Sequence, residues 1–393
     1  MKNGPMSLDN IHDLALLLLS DSGSVEAALD VSALGDARSH RELVLLWNEL
    51  LACATTGTAT TQRCESASEL VLEELALCPG KPSALAVMEL LSDPGMDKLH
   101  PGRARELIVR WVASRLGYAQ PREVLLELLR MRANPAQPVH AEVLTCWMHD
   151  VILRGNALDE PAAREFQERL ASAKHPLAPF PLVLTREERE ATTYMPMYGA
   201  EAIEAAVKAL DHGPTSLHSL PPPDGAEQPR ATAVENDEEL ARIKEAVVPW
   251  TLGLNGRVQA TVHALSPSAG SSVGKSLVRG LPLESVQGDT FLLSAVTADV
   301  VWGALFAAAA NGGAITEGLG GAYGRRAAWT SLGGLVGLPD SATIDQIAAA
   351  AQKTAFAMFG GTPFFCDEAW DLGVVALRAG GESIAVLAAT DTD

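Results

Sequence analysis

Residues 257–265 read RVQATVHAL, and here the period of the chain changes. Val258, Ala260, Val262 and Ala264 alternate with Gln259, Thr261 and His263, the two-residue repeat of a half-buried strand. The preceding Asn255-Gly256 pair is a turn signal. Further on, Phe291–Val296 reads as a second strand, and Leu372–Arg378 with Ser383–Ala389 as a hairpin turned by Gly380-Gly381. Ala298–Asn311, Arg325–Val336 and Ile344–Phe359 read as helices. Strands and helices segregate rather than alternate, which favours α+β with an antiparallel sheet over a doubly wound sheet.

Toward the N-terminus the rhythm is helical. From Leu8 to about Leu210 apolar residues recur at helical spacing, interrupted at Cys78-Pro79-Gly80, Asp93-Pro94-Gly95 and Asn134-Pro135. Between Arg103 and Tyr118, the residues Leu107, Ile108, Trp111, Val112 and Leu116 fall on one stripe. Similar stripes occupy residues 42–53, 67–77, 122–131 and 141–153, so amphipathic helices are expected to pair and stack as an irregular helical-repeat array or a bundle. His212–Glu239, with Pro-Pro-Pro at 221–223 and the acids Glu235, Asp237, Glu238 and Glu239, is too polar to bury its own surface and reads as a linker or mobile loop. The expectation is an α+β multidomain chain: a helical domain over 1–211, a linker over 212–239, and a smaller α+β domain over 240–393.

The bulk numbers agree. At 393 residues the chain exceeds what one core usually holds, and 47% apolar with 20% charged residues is a globular composition. Only eight of the thirty basic residues are Lys, a bias expected of a GC-rich bacterial genome. A net charge of −19 repels phosphate backbones and anionic membranes, arguing against nucleic acid and membrane and for a basic or neutral protein partner. Five widely spaced cysteines form no zinc pattern, so neither metal nor cofactor is expected and the thiols read as reduced. Leu14–Leu19 is too short for a membrane helix, and Asp9 and Asp13 stand where a signal peptide carries positive charge, which points to the cytoplasm.

Three stretches could carry chemistry. Ala269-Gly270-Ser271-Ser272-Val273-Gly274-Lys275-Ser276 fits a relaxed phosphate loop, in which backbone N–H groups wrap phosphates and Lys reaches the terminal groups. Gly280 and Pro282 leave little helix behind it, so a Ser/Gly loop is the plainer reading of Gly274, Lys275 and Ser276. The second stretch is the Gly-rich loop 311–324. Glu317, Gly320 and Gly321 precede a helix expected to start at Arg325, where Arg325 and Arg326 would favour an anion beside Tyr323 and Trp329. A tight turn with solvated or paired arginines is the plain alternative. Third, Asp367, Glu368 and Asp371 surround Trp370, and paired carboxylates can divide acid and base roles; a solvated acidic rim is the commoner arrangement.

Three strings carry a resemblance: Trp250 with Asn255-Gly256-Arg257-Val258; Gly320-Gly321-Ala322-Tyr323-Gly324-Arg325 with Ala328-Trp329 and Ser331-Leu332; and Ala369-Trp370-Asp371-Leu372-Gly373 with residues 387–393. Over roughly the last 145 residues the chain resembles an uncharacterised actinobacterial family of unknown function. The resemblance leaves out the helical half and implies no substrate and no catalytic residue. Its pattern passes through Tyr323–Trp329 and Trp370–Asp371 rather than Lys275, which counts against the phosphate loop.

The functional expectation is an acidic binding protein for a basic or neutral partner, of an immunity-like kind. The alternative is an enzyme acting on an anionic small molecule, held by Arg325 or Arg326 near Tyr323 with Asp371 or Asp367 moving a proton. A lesser alternative is nucleotide binding at Gly274-Lys275-Ser276.

Overall fold

A computed structural model describes residues 8–20, 28, 30–34, 39–57, 60–131, 138–191, 229–253, 255–366 and 370–392. The chain divides into two compact units, Met1–Ala173 and Lys174–Asp393. The division falls ahead of the boundary expected at 211, so Lys174–Glu190 belongs with the second unit.

The first unit is helical. Its described helices are α1 (Leu8–Leu18), α2 (His40–Thr56), α3 (Thr61–Leu77), α4 (Lys81–Ser92), the single turn α5 (Met96–Leu99), α6 (Arg105–Ala119), α7 (Arg122–Arg130), α8 (Pro138–Leu153) and α9 (Pro161–Ser172). In α2 the residues Leu43, Leu46, Trp47, Leu50 and Cys53 are buried, a single apolar stripe. Gly57, at φ 70°, ends the helix by donating its N–H to the carbonyls of Ala54 and Cys53. Neighbours pack in sequence, α1 on α2, α2 on α3 and α3 on α4, and further contacts join α3 to α6, α6 to α8 and α7 to α9.

Two sequence expectations change here. Residues 143–153 of α8 are all buried, so this helix is enclosed rather than one-sided. In α6, Trp111 lies at the edge of the core stripe, flanked by the guanidinium groups of Arg103 and Arg115 at 5.8 and 6.0 Å from its ring centre.

The second unit is α+β. Its elements are α10 (Arg186–Glu190), β1 (Arg230–Ala233), α11 (Asp237–Lys244), a 3-10 helix (Glu245–Thr251), β2 (Arg257–Ser266), α12 (Lys275–Arg279), β3 (Leu292–Val296), α13 (Ala298–Asn311), α14 (Gly320–Leu335), α15 (Ile344–Ala351), β4 (Ala355–Gly360), β5 (Asp371–Leu377) and β6 (Ser383–Thr390). The six strands form one antiparallel sheet in the order β1-β2-β6-β5-β4-β3. One face carries Leu265, Phe359, Val375, Leu377, Ile384 and Val386, which pack with Val278 of α12 and with Leu281, Phe291 and Phe364 from the loops. The helices α11, α13 and α14 and the 3-10 helix also touch the sheet. Covered in this way, β5 and β6 are buried along almost their whole length.

Three local readings are corrected. Ile344–Phe359 is not one helix: α15 stops at Ala351, and Ala355–Gly360 forms β4, paired on both sides. The Ala-rich run continues across the break and hides it. The end of the expected linker is ordered as well, because Arg230 pairs with Ser266 across β1 and β2. Asn236 then caps α11 by accepting from Glu239 N at 3.2 Å, so the acidic cluster forms a first helical turn, where the helix dipole favours it. Residues 212–228 lie outside the described residues. Finally, α14 begins at Gly320 rather than Arg325.

Candidate functional site

Arg325 sits in the second turn of α14 with no exposed surface. Its Nε and Nη2 donate to the two carboxylate oxygens of Glu188 at 2.6 and 2.8 Å, and further guanidinium N–H groups donate to the carbonyls of Pro181 and Val183 at 3.2 Å each. Trp329, one turn on, donates Nε1–H to Glu188 at 2.8 Å. Glu188 also closes a capping box with Thr185 at the start of α10. Burial alone pushes its carboxyl up, but the charge and hydrogen bonds of Arg325, with those of Trp329 and Thr185, outweigh burial and hold it below its ordinary value. Arg325 is therefore a clamp fastening residues 180–190 to α14, and not the exposed anion holder expected from sequence.

The Gly-rich loop is likewise committed internally. Gly312 N donates to Ala308 O, Leu319 N to Ala309 O, Gly313 N to Thr316 Oγ1 and Ala314 N to the buried Asp391 carboxylate at 2.9 Å. Gly320 and Gly321 are buried in the first turn of α14. A Cβ at Gly324 would stand 2.8 Å from that of Ala310, so this glycine serves the close approach of α13. Glu317 is exposed and Tyr323 half-buried.

Asp371, at the start of β5, accepts from Thr390 Oγ1 at 2.6 Å and from Cys366 N at 3.3 Å. Trp370 is half-buried, and its carbonyl accepts from Asp391 N. Asp367 lies outside the described residues. Lys275 is exposed with its ammonium 5.7 Å from the Phe291 ring centre, and Gly274 caps the five-residue α12. The strand before it has antiparallel neighbours on both sides, unlike the parallel βα setting of a phosphate loop.

Two of the expected site residues, Arg326 and Trp329, meet in a cleft of about 430 Å³ that sequence reasoning did not find. Its floor takes in Phe180, Trp329 and Ile347, and its polar lining includes Arg242, Arg326, Asp340 and Thr343. Tyr323 and Asp371 do not line it. Arg242 comes from the last turn of α11. That helix is seated closely because Gly334 of α14 has no side chain: a Cβ there would lie 2.8 Å from Ile243 N. Ser331 Oγ reinforces the seat by donating to the carbonyls of Arg242 and Ile243. Arg326 is 3.5 Å from Glu245, both partly exposed, a pairing of little worth. The Arg242 Nε is buried and has no hydrogen-bond partner among the described residues.

The first unit holds a different constellation. His100 Nε2 is 2.9 Å from Ser68 Oγ, and its Nδ1 is 4.0 Å from Glu69 Oε1. Serine, imidazole and carboxylate follow one another as nucleophile, base and acid do in a hydrolytic triad, but both Ser68 and His100 are buried. The serine hydroxyl donates to the carbonyls of Cys64 and Glu65 at 2.7 and 2.9 Å, so the imidazole donates to Ser68 rather than receiving its proton. Among the described residues no group of three or more His, Cys, Asp or Glu could hold a metal, and no described helix is long and apolar enough to cross a membrane.

The model of a family of unknown function, DUF6183, matches residues 27–393, and the chain belongs to that family. The match takes in the helical unit, so the likeness is not confined to the last 145 residues. No curated protein and no solved structure shows a significant match.

Proposed function

We propose that this family member is a binding protein whose second unit receives a small anionic molecule in the cleft between α11, α14 and α15. The observation that carries the reading is Arg242, which lines a 430 Å³ cleft with its buried Nε unmatched by any described acceptor. A guanidinium lining a cleft of this size is a ready partner for an incoming anion, which it can grip through paired N–H donors. The cleft lies within the size range of small-molecule sites and combines an apolar floor with a few polar groups, as such sites do. The expectation of a basic protein partner rests on the net charge of −19 alone, whereas the cleft supplies named residues to which an anion could bind.

Thermal unfolding provides the test. 3-Phenylpropanoate should raise the midpoint more than its neutral amide does, because only the acid pairs with the guanidinium. Arg242→Ala should abolish that difference while leaving the ligand-free midpoint within a few degrees. Equal stabilisation by acid and amide, or an acid effect that survives in the variant, would refute the reading.

A further inference from the structure

The same cleft carries a second charge. Asp340 lies on the loop between α14 and α15, exposed, and lines the cleft with Arg242. The two share one cleft, yet no salt bridge within 4.0 Å joins them, and neither side chain has another ion pair or hydrogen bond among the described residues. Opposite charges that line one cleft without pairing with each other suit a ligand that carries the complementary pair on a short frame. We infer that the cleft takes a free α-amino acid with an apolar or aromatic side chain. Its carboxylate meets Arg242, its ammonium meets Asp340, and its side chain lies over Phe180, Trp329 and Ile347.

This inference rests on the anion reading and narrows it. A planar monoanion suits one guanidinium, which grips a carboxylate through two parallel N–H donors. A dianionic phosphate is less well served, since Asp340 stands in the same lining and the chain carries −19 overall. Arg326, 3.5 Å from Glu245, also lines the cleft and leaves room for a second contact to the carboxylate. The floor sets the side-chain preference: Trp329 is held by Glu188 and packs obliquely on Trp302 with ring centres 6.1 Å apart, so it is a fixed part of the apolar lining. Gly333 also lines the cleft, and a Cβ there would come within 3.1 Å of Ile347 Cδ1.

The experiment is a calorimetric titration of the full chain with L-phenylalanine, L-phenylalaninamide and 3-phenylpropanoate, repeated on Arg242→Ala and Asp340→Asn. L-Phenylalanine should bind at least about tenfold more tightly than either truncated analogue, the loss expected when one charged hydrogen-bonding partner is removed. Asp340→Asn should erase the advantage over 3-phenylpropanoate while keeping the affinity for that acid, and Arg242→Ala should erase the advantage over the amide. If 3-phenylpropanoate binds as tightly as L-phenylalanine and still depends on Arg242, the amino-acid inference is overturned and the anion reading stands. If none of the three binds, both fall.

Discussion

At the scale of single residues, the Arg325–Glu188 pair shows how a charge read as a ligand contact can instead hold the chain together. Both side chains are fully shielded from solvent, so removing one partner strands the other. Glu188→Gln should cost about 3–5 kcal/mol in urea unfolding, whereas replacing both residues with apolar ones of similar volume should recover much of that loss. Because the Glu188 carboxyl is held below its ordinary value, its contribution is present at neutral pH and is lost as pH falls through the folded value. In the first unit two buried groups oppose each other. Burial, aided by the charge of Arg103, lowers His100 from 6.5 to about 4. It is therefore neutral when folded, and its contribution is lost as pH falls from 6.5 toward 4. Burial raises Asp150 from 3.8 to about 6 against the pull of Arg154 and Ser114, so protonation stabilises the fold as pH drops below 6. Each effect is on the order of 3 kcal/mol, and between pH 4 and 6 they nearly cancel. His100→Gln should make stability rise as pH falls through that window, and Asp150→Asn should make it fall. Parallel pH profiles for both variants in denaturant titrations would contradict the assignment.

Elements were legible where sequence period and burial coincide. The strand at 257–265 and the terminal hairpin could be read because alternation and turn glycines mark them: Gly380 and Gly381 take φ 88° and 69°, as a glycine turn requires. The second half of residues 344–359 reads as helix because alanine fits either period, and only Phe356 and Phe359, buried in β4, betray the strand. β1 was missed since four residues at a sheet edge show little pattern. The cleft was illegible for another reason. Arg242 reaches it only because α11 can approach Gly334, a long-range contact with no local signal, while the turn Pro339-Asp340 and the capping pair Thr343 and Gln346 were readable but mark only a helix start. A related close approach gives a test: a Cβ at Gly117 of α6 would lie 3.0 Å from Asp150 Cβ on α8. Gly117→Ala should therefore destabilise the first unit by about 1–3 kcal/mol, despite the better helix propensity of alanine. A gain in stability on chemical denaturation would show that α6 and α8 do not meet so closely.

On the scale of the whole molecule, one family spans residues 27–393 across two compact units of different architecture. In the helical unit the Ser68–His100 pair is buried. In the second unit the arginine, glycine and aspartate signals seen in sequence resolve into structural work: Arg325 clamps, Asp391 closes the Gly-rich loop, and Asp371 ties the ends of β5 and β6. The cleft beside them is lined by Arg242 and Asp340, which form no salt bridge with each other. The most direct measurement is a crystal structure of the full chain grown with 4-iodophenylacetate, an acid whose iodine can be located by anomalous scattering. Iodine over Phe180, Trp329 and Ile347, with the carboxylate on Arg242, is the predicted result. An empty cleft at saturating ligand, or iodine found only elsewhere, would contradict it.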